Sequence, residues 1–203
     1  KKMSLRIEEK ISFNDFNVFE FKKWLFSKDA KILHPSRIIN SIYFDNKLRM
    51  YDESIEGSVP RKKIRIRTYE TKNFFLTKNK YQQETKITYY NYRDKNVENF
   101  TFDLSKMNAG IYDKDYGLCK PNLNVFYKRS YFNVFNTRIT LDEEINYRLI
   151  KNSKLSNFSI KDKSFVVEIK TQKINDTDFL KEIFPLARTR FSKYCRGIEL
   201  SSI

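Results

Sequence analysis

Lys and Arg fall on alternate residues in several short stretches of this chain: Arg6-Ile7-Glu8-Glu9-Lys10, Lys63-Ile64-Arg65-Ile66-Arg67, Glu84-Thr85-Lys86 and Glu168-Ile169-Lys170. On a β-strand, residues two apart share a face, so each stretch aims its charged groups to one side. The other side carries Leu5, Ile7 and Ile11, then Ile64 and Ile66, then Val167 and Ile169, which is the composition of a packed surface. The charged side is mostly cationic, with a few carboxylates among the cations. That mixture suits a polyphosphate together with the divalent metal ion that accompanies it.

Other kinds of chemistry are poorly supplied. A single His34 and two cysteines, Cys119 and Cys195, provide neither the spacing of a zinc site nor a disulfide framework, and a triad enzyme built on His is not expected. Both cysteines read as small apolar residues, and His34, just before Pro35, reads as a surface loop residue. Gly57, Gly110, Gly117 and Gly197 stand alone, so there is no Gly-rich phosphate loop. The 40 Lys and Arg exceed the 25 Asp and Glu, giving a net charge of +15 that argues for an anionic partner. No apolar run is long enough to span a bilayer and no signal-peptide pattern is recognised, so a soluble, cytoplasmic protein is expected.

The elements that must position these charges can be read in order. Leu5 to Phe13 is a strand, followed by a helix to Ser27 in which Phe16, Phe19, Phe21, Trp24 and Leu25 recur at helical spacing. Arg37 to Phe44 is β-rich, and Lys47 to Ser54 is a short helix ahead of a Gly57 to Pro60 turn. Arg61 to Tyr69 and Tyr81 to Tyr90 form a hairpin or meander. Asn91 to Pro121 has weak periodicity, with a helix over Asp103 to Ala109 and a tip outside the core. Asn124 to Phe135 and Thr137 to Tyr147 pair through a turn near Asn136, and Lys151 to Ser164 is a polar connection. Phe165 to Thr171 is a strand, Asp176 to Phe184 a helix, and Arg190 to Arg196 a short helix or turn. With no repeat or linker, residues 1–203 are expected to form one domain of α+β class.

Strand after strand, Lys10, Arg65, Arg67, Lys86, Arg129, Arg138 and Lys170 recur on the polar side. Like charges opposed across strands destabilise a sheet, and at an effective dielectric near 20 two charges about 4 Å apart interact by roughly 4 kcal/mol. Such a face should repel itself without an anion to fill it. A sheet with one solvated face would show the same alternation, so an enclosed channel and an open charged face both remain compatible with the pattern.

Eight short elements in order give a closer likeness. They are Arg6, Glu8 and Lys10; Ser41-Ile42-Tyr43-Phe44-Asp45 followed by Tyr51; Arg65 and Arg67; Glu84-Thr85-Lys86; Tyr127-Lys128-Arg129; Arg138-Ile139-Thr140-Leu141-Asp142; Val167-Glu168-Ile169-Lys170; and Ser192-Lys193-Tyr194-Cys195-Arg196-Gly197. From about Arg6 to Gly197 the sequence resembles the vacuolar transporter chaperone (VTC) domain, the polyphosphate polymerase branch of the CYTH-like triphosphate tunnel metalloenzymes. Arg6 stands where the triphosphatase branch characteristically has Glu, which favours the polymerase branch.

The resemblance implies a mainly antiparallel eight-stranded β-barrel tunnel with flanking helices, in which the terminal phosphoryl group of ATP passes to a growing inorganic polyphosphate chain. Little covalent help from the protein is needed for such a transfer, because positioning and charge neutralisation supply most of the catalysis. The implied catalytic and substrate-binding residues are Lys10, Arg65, Arg67, Lys86, Arg129, Arg138 and Lys170, with Ser192 and Lys193 as further substrate contacts. Glu168, then Glu8, then Glu84 would hold Mn²⁺ or Mg²⁺, although each Glu could instead simply offset its cationic neighbours. Asp142, Glu143 and Glu144 read as a solvated strand end. The expected partners are ATP and polyphosphate or phosphate, with a membrane-protein partner at the cytoplasmic face of a membrane if the product is translocated. A triphosphatase on the same scaffold is one alternative. A non-catalytic polyphosphate- or nucleic-acid-binding module is the other, though many of the 18 Phe and 13 Tyr fall on the apolar parity or in helices, where they serve a core.

Overall fold

The computed structural model describes residues 7–13, 15–69, 72–75, 80–90, 92–101, 103–152, 154–171 and 189–201. Arg6 and the helix expected over Asp176 to Phe184 lie outside the described residues, as does the side chain of Phe16. In chain order the elements are β1 (Ile7–Phe13), α1 (Asp15–Ser27), β2 (Lys31–Asp45), α2 (Arg49–Glu56), β3 (Arg61–Tyr69), β4 (Tyr81–Thr88) and β5 (Arg93–Phe100). There follow α3 (Leu104–Ala109), β6 (Ile111–Asp113), β7 (Gly117–Val134), β8 (Thr137–Lys151), β9 (Lys154–Leu155), β10 (Ile160–Lys161), β11 (Phe165–Thr171) and α4 (Lys193–Ser201). The class is α+β, and the pairs β1–β11, β2–β3, β3–β4, β4–β5, β6–β7, β8–β9, β8–β10 and β8–β11 are all antiparallel. Eight strands form the main path, ordered β1-β11-β8-β7 and then β7-β2-β3-β4-β5.

Packing divides the chain into two compact units, and the long strands β2, β7 and β8 contribute residues to both. The first unit contains residues 1–37, 127–145 and 162–191. Here β1 pairs with β11 and β11 with β8, so Ile11, Val167 and Leu141 lie in one row and Ile169 beside Ile139 on the same face. Val18, Phe21, Trp24 and Leu25 of α1 pack in one cluster with these strand residues, together with Phe132 and Val134. Each of these large side chains contributes roughly 1.5–3 kcal/mol by burial. The buried stripe of α1 therefore runs through Val18, Phe21, Trp24 and Leu25, whereas Phe19, expected on that face, is 69% exposed. The helix ends where Asp29 turns left-handed (φ 52°) and the Ala30 amide reaches back to the Leu25 carbonyl (3.1 Å).

The second unit contains residues 38–126, 146–161 and 192–203. Ile42, Phe44, Ile64 and Ile66 share one face of β2 and β3 and pack with Met50, Phe74, Tyr81, Met107, Tyr116, Cys119 and Ile150. Asp103 caps α3 by accepting from the Ser105 and Lys106 amides. Gly57 closes α2 at φ 81°, with its own amide and that of Ser58 both reaching the Glu53 carbonyl.

The strand over 93–100 and the two short pairings inside 151–164, β9 and β10 against β8, were not expected from the sequence. The short helix or turn expected over Arg190 to Arg196 is a helix that starts at Lys193 and continues to Ser201. His34 lies on β2 and not in a loop; it is exposed and meets Tyr131 edge-on, with ring centres 5.5 Å apart. Both cysteines are buried and free.

Gly197 explains why the Ser192 to Gly197 element ends as it does. A Cβ there would lie 2.6 Å from both Leu123 Cδ2 and Tyr147 Cδ1, and Leu123 and Tyr147 are fully buried. Gly197→Ala is expected to lower stability by about 1–3 kcal/mol through overpacking, measurable as a lower urea midpoint. An unchanged midpoint would show that α4 shifts freely.

Candidate functional site

In the first unit the strand register gathers the charged residues on the face opposite α1's cluster. Glu8 lies opposite Lys170, Lys10 opposite Glu168, and on the other flank of β11 Glu168 lies opposite Thr140 and Lys170 opposite Arg138. Glu168, 8% exposed, is the centre of this group. Lys170 Nζ is 2.7 Å from one of its oxygens and Arg129 Nη2 is 3.4 Å from the other. Burial would raise the Glu168 carboxyl, but the charges of Arg129, Lys10 and Lys170 hold it well below the ordinary carboxylate range. Lys10 is 3.8 Å from Glu8 and donates to the Phe191 carbonyl at 3.2 Å. Arg138 is exposed and lies against the Tyr131 ring (5.5 Å).

Asp142 is the main correction to the sequence reading. It is fully buried, not a solvated strand end, because β8 continues nine residues beyond it to Lys151. Both its oxygens accept from Arg129, from Nε at 2.5 Å and Nη2 at 2.7 Å, so the guanidinium is gripped in a planar fork. Arg129 thus joins Asp142 to Glu168 and also lies over Tyr127 (5.4 Å). Glu143 is paired as well, accepting from Lys22 at 2.6 Å.

In the second unit the corresponding face carries Ser41 and Tyr43 of β2, Lys63, Arg65 and Arg67 of β3, Glu84 and Lys86 of β4, and Lys95 of β5. Glu84, 2% exposed, is its centre. It accepts from Arg65 Nε at 2.6 Å and Lys95 Nζ at 2.6 Å, with Arg67 at 3.8 Å. Lys63, Lys86 and Lys95 stand directly opposite one another on three neighbouring strands, a like-charge row that a bound anion would relieve. Both clusters are therefore cations arranged around buried carboxylate, Glu168 and Asp142 in the first and Glu84 in the second. The repulsion expected from the cations alone is partly offset by these carboxylates.

Burial pushes the Glu84 carboxyl up, yet Arg65, Arg67 and Lys95 outweigh it and lower its pKa to about 2. A depressed carboxylate stabilises the fold above its unfolded pKa, and that contribution is lost as the pH falls from about 4.5 toward 2. Wild-type protein is expected to lose on the order of 3 kcal/mol across this window from Glu84, and Glu84→Gln to lose correspondingly less. Parallel acid-unfolding curves of the two proteins would contradict this.

The remaining elements hold the second cluster in place. Asp45 accepts from the Met50 and Tyr51 amides (3.0 and 3.1 Å), seating the start of α2, and from the Tyr194 hydroxyl at 2.7 Å. Ser192 Oγ accepts from the Cys195 amide at 3.3 Å at the head of α4 and from Lys63 Nζ at 2.7 Å. Ser41 accepts from Arg67 Nε at 3.3 Å. Tyr43, Asp45, Lys63 and Tyr194 lie in stretches quoted from the sequence but were not named there as site residues, and Lys95 was not noticed at all. For Lys63 and Lys95 the opposed positions on β3, β4 and β5 were the missing information. Lys193 is half-buried on α4.

Among the described residues, no group of three or more His, Cys, Asp or Glu is arranged to hold a metal ion. Glu8 and Glu168 lie diagonally on the same face of adjacent strands. That donor set fits a hard cation which takes one or two carboxylates and draws its other ligands from phosphate oxygens and water. Among the described residues no helix is long and apolar enough to cross a membrane.

Comparison with known proteins agrees with this layout. A candidate adenylate cyclase from Bacillus halodurans superposes with a TM-score of 0.60 at 11% identity, over 94% of this chain and 96% of that one. A second candidate adenylate cyclase, from Vibrio parahaemolyticus, gives 0.53 at 14% identity, over 98% of each chain. At such identities the likeness concerns the fold, which is the CYTH-like fold of the triphosphate tunnel proteins. No curated protein matches the sequence. The VTC domain model matches residues 2–202, a span that contains both charged clusters and every short element that carried the resemblance, and the chain therefore belongs to the VTC domain family.

Proposed function

We propose that this protein is a polyphosphate polymerase, transferring the terminal phosphoryl group of ATP to inorganic polyphosphate. The observation that carries the reading is the composition of the two faces: each gathers Lys and Arg from several strands around buried carboxylate, Glu168 with Asp142 in the first and Glu84 in the second. Arg65, Arg67 and Arg138 bind phosphate oxygens through planar forks, and Lys10, Lys86, Lys170 and Lys193 add point charges. Arg129, held by Asp142, fixes the position of Glu168 as well as contributing charge. Ser192 joins Lys63 to the start of α4 and presents Lys193.

The acceptor is the terminal oxygen of phosphate or polyphosphate, already anionic, so no general base is required. Glu168, assisted by Glu8, would hold Mn²⁺ or Mg²⁺; the ion supplies charge neutralisation at the phosphate oxygens. Glu84 is the weakest of the three metal candidates because Arg65 and Lys95 hold both its oxygens at 2.5 and 2.6 Å, whereas one oxygen of Glu168 has Arg129 only at 3.4 Å. The substrates are ATP and phosphate or polyphosphate, and the site of action is the cytoplasm or the cytoplasmic face of a membrane through a partner.

The test is to incubate the protein with ATP and Mn²⁺ and resolve the products by gel and chromatography. Lengthening polyphosphate ladders and ADP are expected. Orthophosphate without ladders would make it a triphosphatase, and a cyclic nucleotide with diphosphate would make it a cyclase; either result overturns the reading.

A further inference from the structure

Tyr43 is built into the second cluster in a way that phosphate binding by Arg65 does not by itself explain. The two residues are opposite each other on β2 and β3. The Tyr43 hydroxyl accepts from Arg65 Nη1 at 2.9 Å, while Glu84 takes Nε and Nη2 from the other side. The guanidinium is thereby gripped at all three nitrogens. The Tyr43 ring stacks on Tyr194 (5.1 Å between centres, 21° between planes), whose hydroxyl is fixed by Asp45 and Asn122. Arg65 is thus tied through two aromatic rings to α2 and α4.

We propose that Tyr43 positions the Arg65 guanidinium for a phosphate group and, through its hydroxyl, sets the alkaline limit of anion binding. The proposal rests on the phosphate-binding reading given above and adds to it a residue and a pH dependence.

The groups that face this hydroxyl favour its ionisation. Arg65 and Arg67 come from β3 and Lys193 from α4, with Glu84 beyond Arg65 on β4. Tyr194 on α4 and Asp45 on β2 are committed to each other. Burial raises the Tyr43 phenol, but Arg65, Arg67 and Lys193 outweigh it and lower its pKa to about 8. Below that pH the neutral hydroxyl accepts a hydrogen bond and leaves the positive field intact. Above it the phenolate becomes a built-in counter-charge to the same cations, and an incoming polyanion must compete with it. Binding and ionisation oppose each other reciprocally, so a bound polyanion must raise the pKa of the phenol.

The experiment uses inorganic tripolyphosphate and calorimetric titration of wild type and Tyr43→Phe, below and above about pH 8. Wild-type affinity is expected to fall about tenfold across this range relative to the variant, the equivalent of one pKa unit of coupling. The variant should bind about fivefold more weakly than wild type at neutral pH, as expected for loss of one hydrogen bond to a charged group. The ligand's own titration is common to both proteins and cancels. Tyrosinate absorbance of the wild type alone gives an independent reading: one tyrosine ionising near pH 8, displaced upward when tripolyphosphate is added. Equal pH dependence in the two proteins, or no low-pH tyrosinate, overturns the role of Tyr43 and leaves the phosphate-binding reading standing. A wild type that does not bind tripolyphosphate overturns both.

Discussion

Asp142→Ala should be the most destabilising change in the first charged cluster, lowering stability by about 3–5 kcal/mol, because it leaves the buried Arg129 without its planar partner. For a chain of this size that corresponds to a fall of roughly 10 °C in melting temperature. The carboxylate has no exposure to solvent, so water cannot take its place without rearrangement. Arg129→Met combined with Asp142→Leu should recover most of the loss, since removing both charges is much less costly than stranding one. Urea unfolding of the single and double variants measures both effects. A loss below about 1 kcal/mol for Asp142→Ala would mean that the pair behaves as a surface ion pair.

If the proposed ATP-dependent polyphosphate synthesis is the activity, Arg65→Ala should reduce it by about 10²–10³-fold, the usual effect of deleting one group that stabilises developing charge. From the sequence, the same change is expected to spare the fold, because it removes one cation from a self-repelling row. The structure alters that expectation. Arg65 is the partner of Glu84, and without it the buried carboxylate retains only Lys95 and the more distant Arg67. A stability loss of about 1–3 kcal/mol should therefore accompany the loss of activity, with the protein still folded. Arg65→Lys should restore stability better than activity, since an ammonium replaces the charge but not the fork. Steady-state kinetics beside melting curves separates the two effects, and undiminished synthesis in Arg65→Ala would remove this residue from the reaction.

Strands with strict alternation were legible in the sequence. Lys63 to Arg67 lies inside β3 and Val167 to Lys170 inside β11, where branched apolar and charged residues alternate, and the bounds of both strands coincide with those expected. The turn near Asn136 was legible for a local reason too: Phe135 and Asn136 adopt positive φ between two strands that pair across it. The strand over 93–100 was hidden because Arg-Asp-Lys-Asn-Val-Glu-Asn-Phe has no apolar side. It is exposed along nearly its whole length and owes its conformation to pairing with β4. Asp142 was misread because the Asp-Glu-Glu run looks solvated locally, and nothing nearby in sequence announces that Arg129, thirteen residues earlier, is its partner. Tyr43, Asp45 and Tyr194 belong to short elements the sequence did reveal, but their joint contacts link positions about 150 residues apart. No periodicity carries that information.

The pairing of β1 with β11 also bears on how the protein is made. Ile7 meets Thr171 and Phe13 meets Phe165, so β1 finds its neighbour only after about 150 further residues have been synthesised. At ribosomal rates of about 5–20 residues per second the delay is on the order of ten seconds. Throughout that time the nascent chain carries an amphipathic strand without its neighbour, the kind of segment that chaperones recognise and that makes early release from the ribosome hazardous.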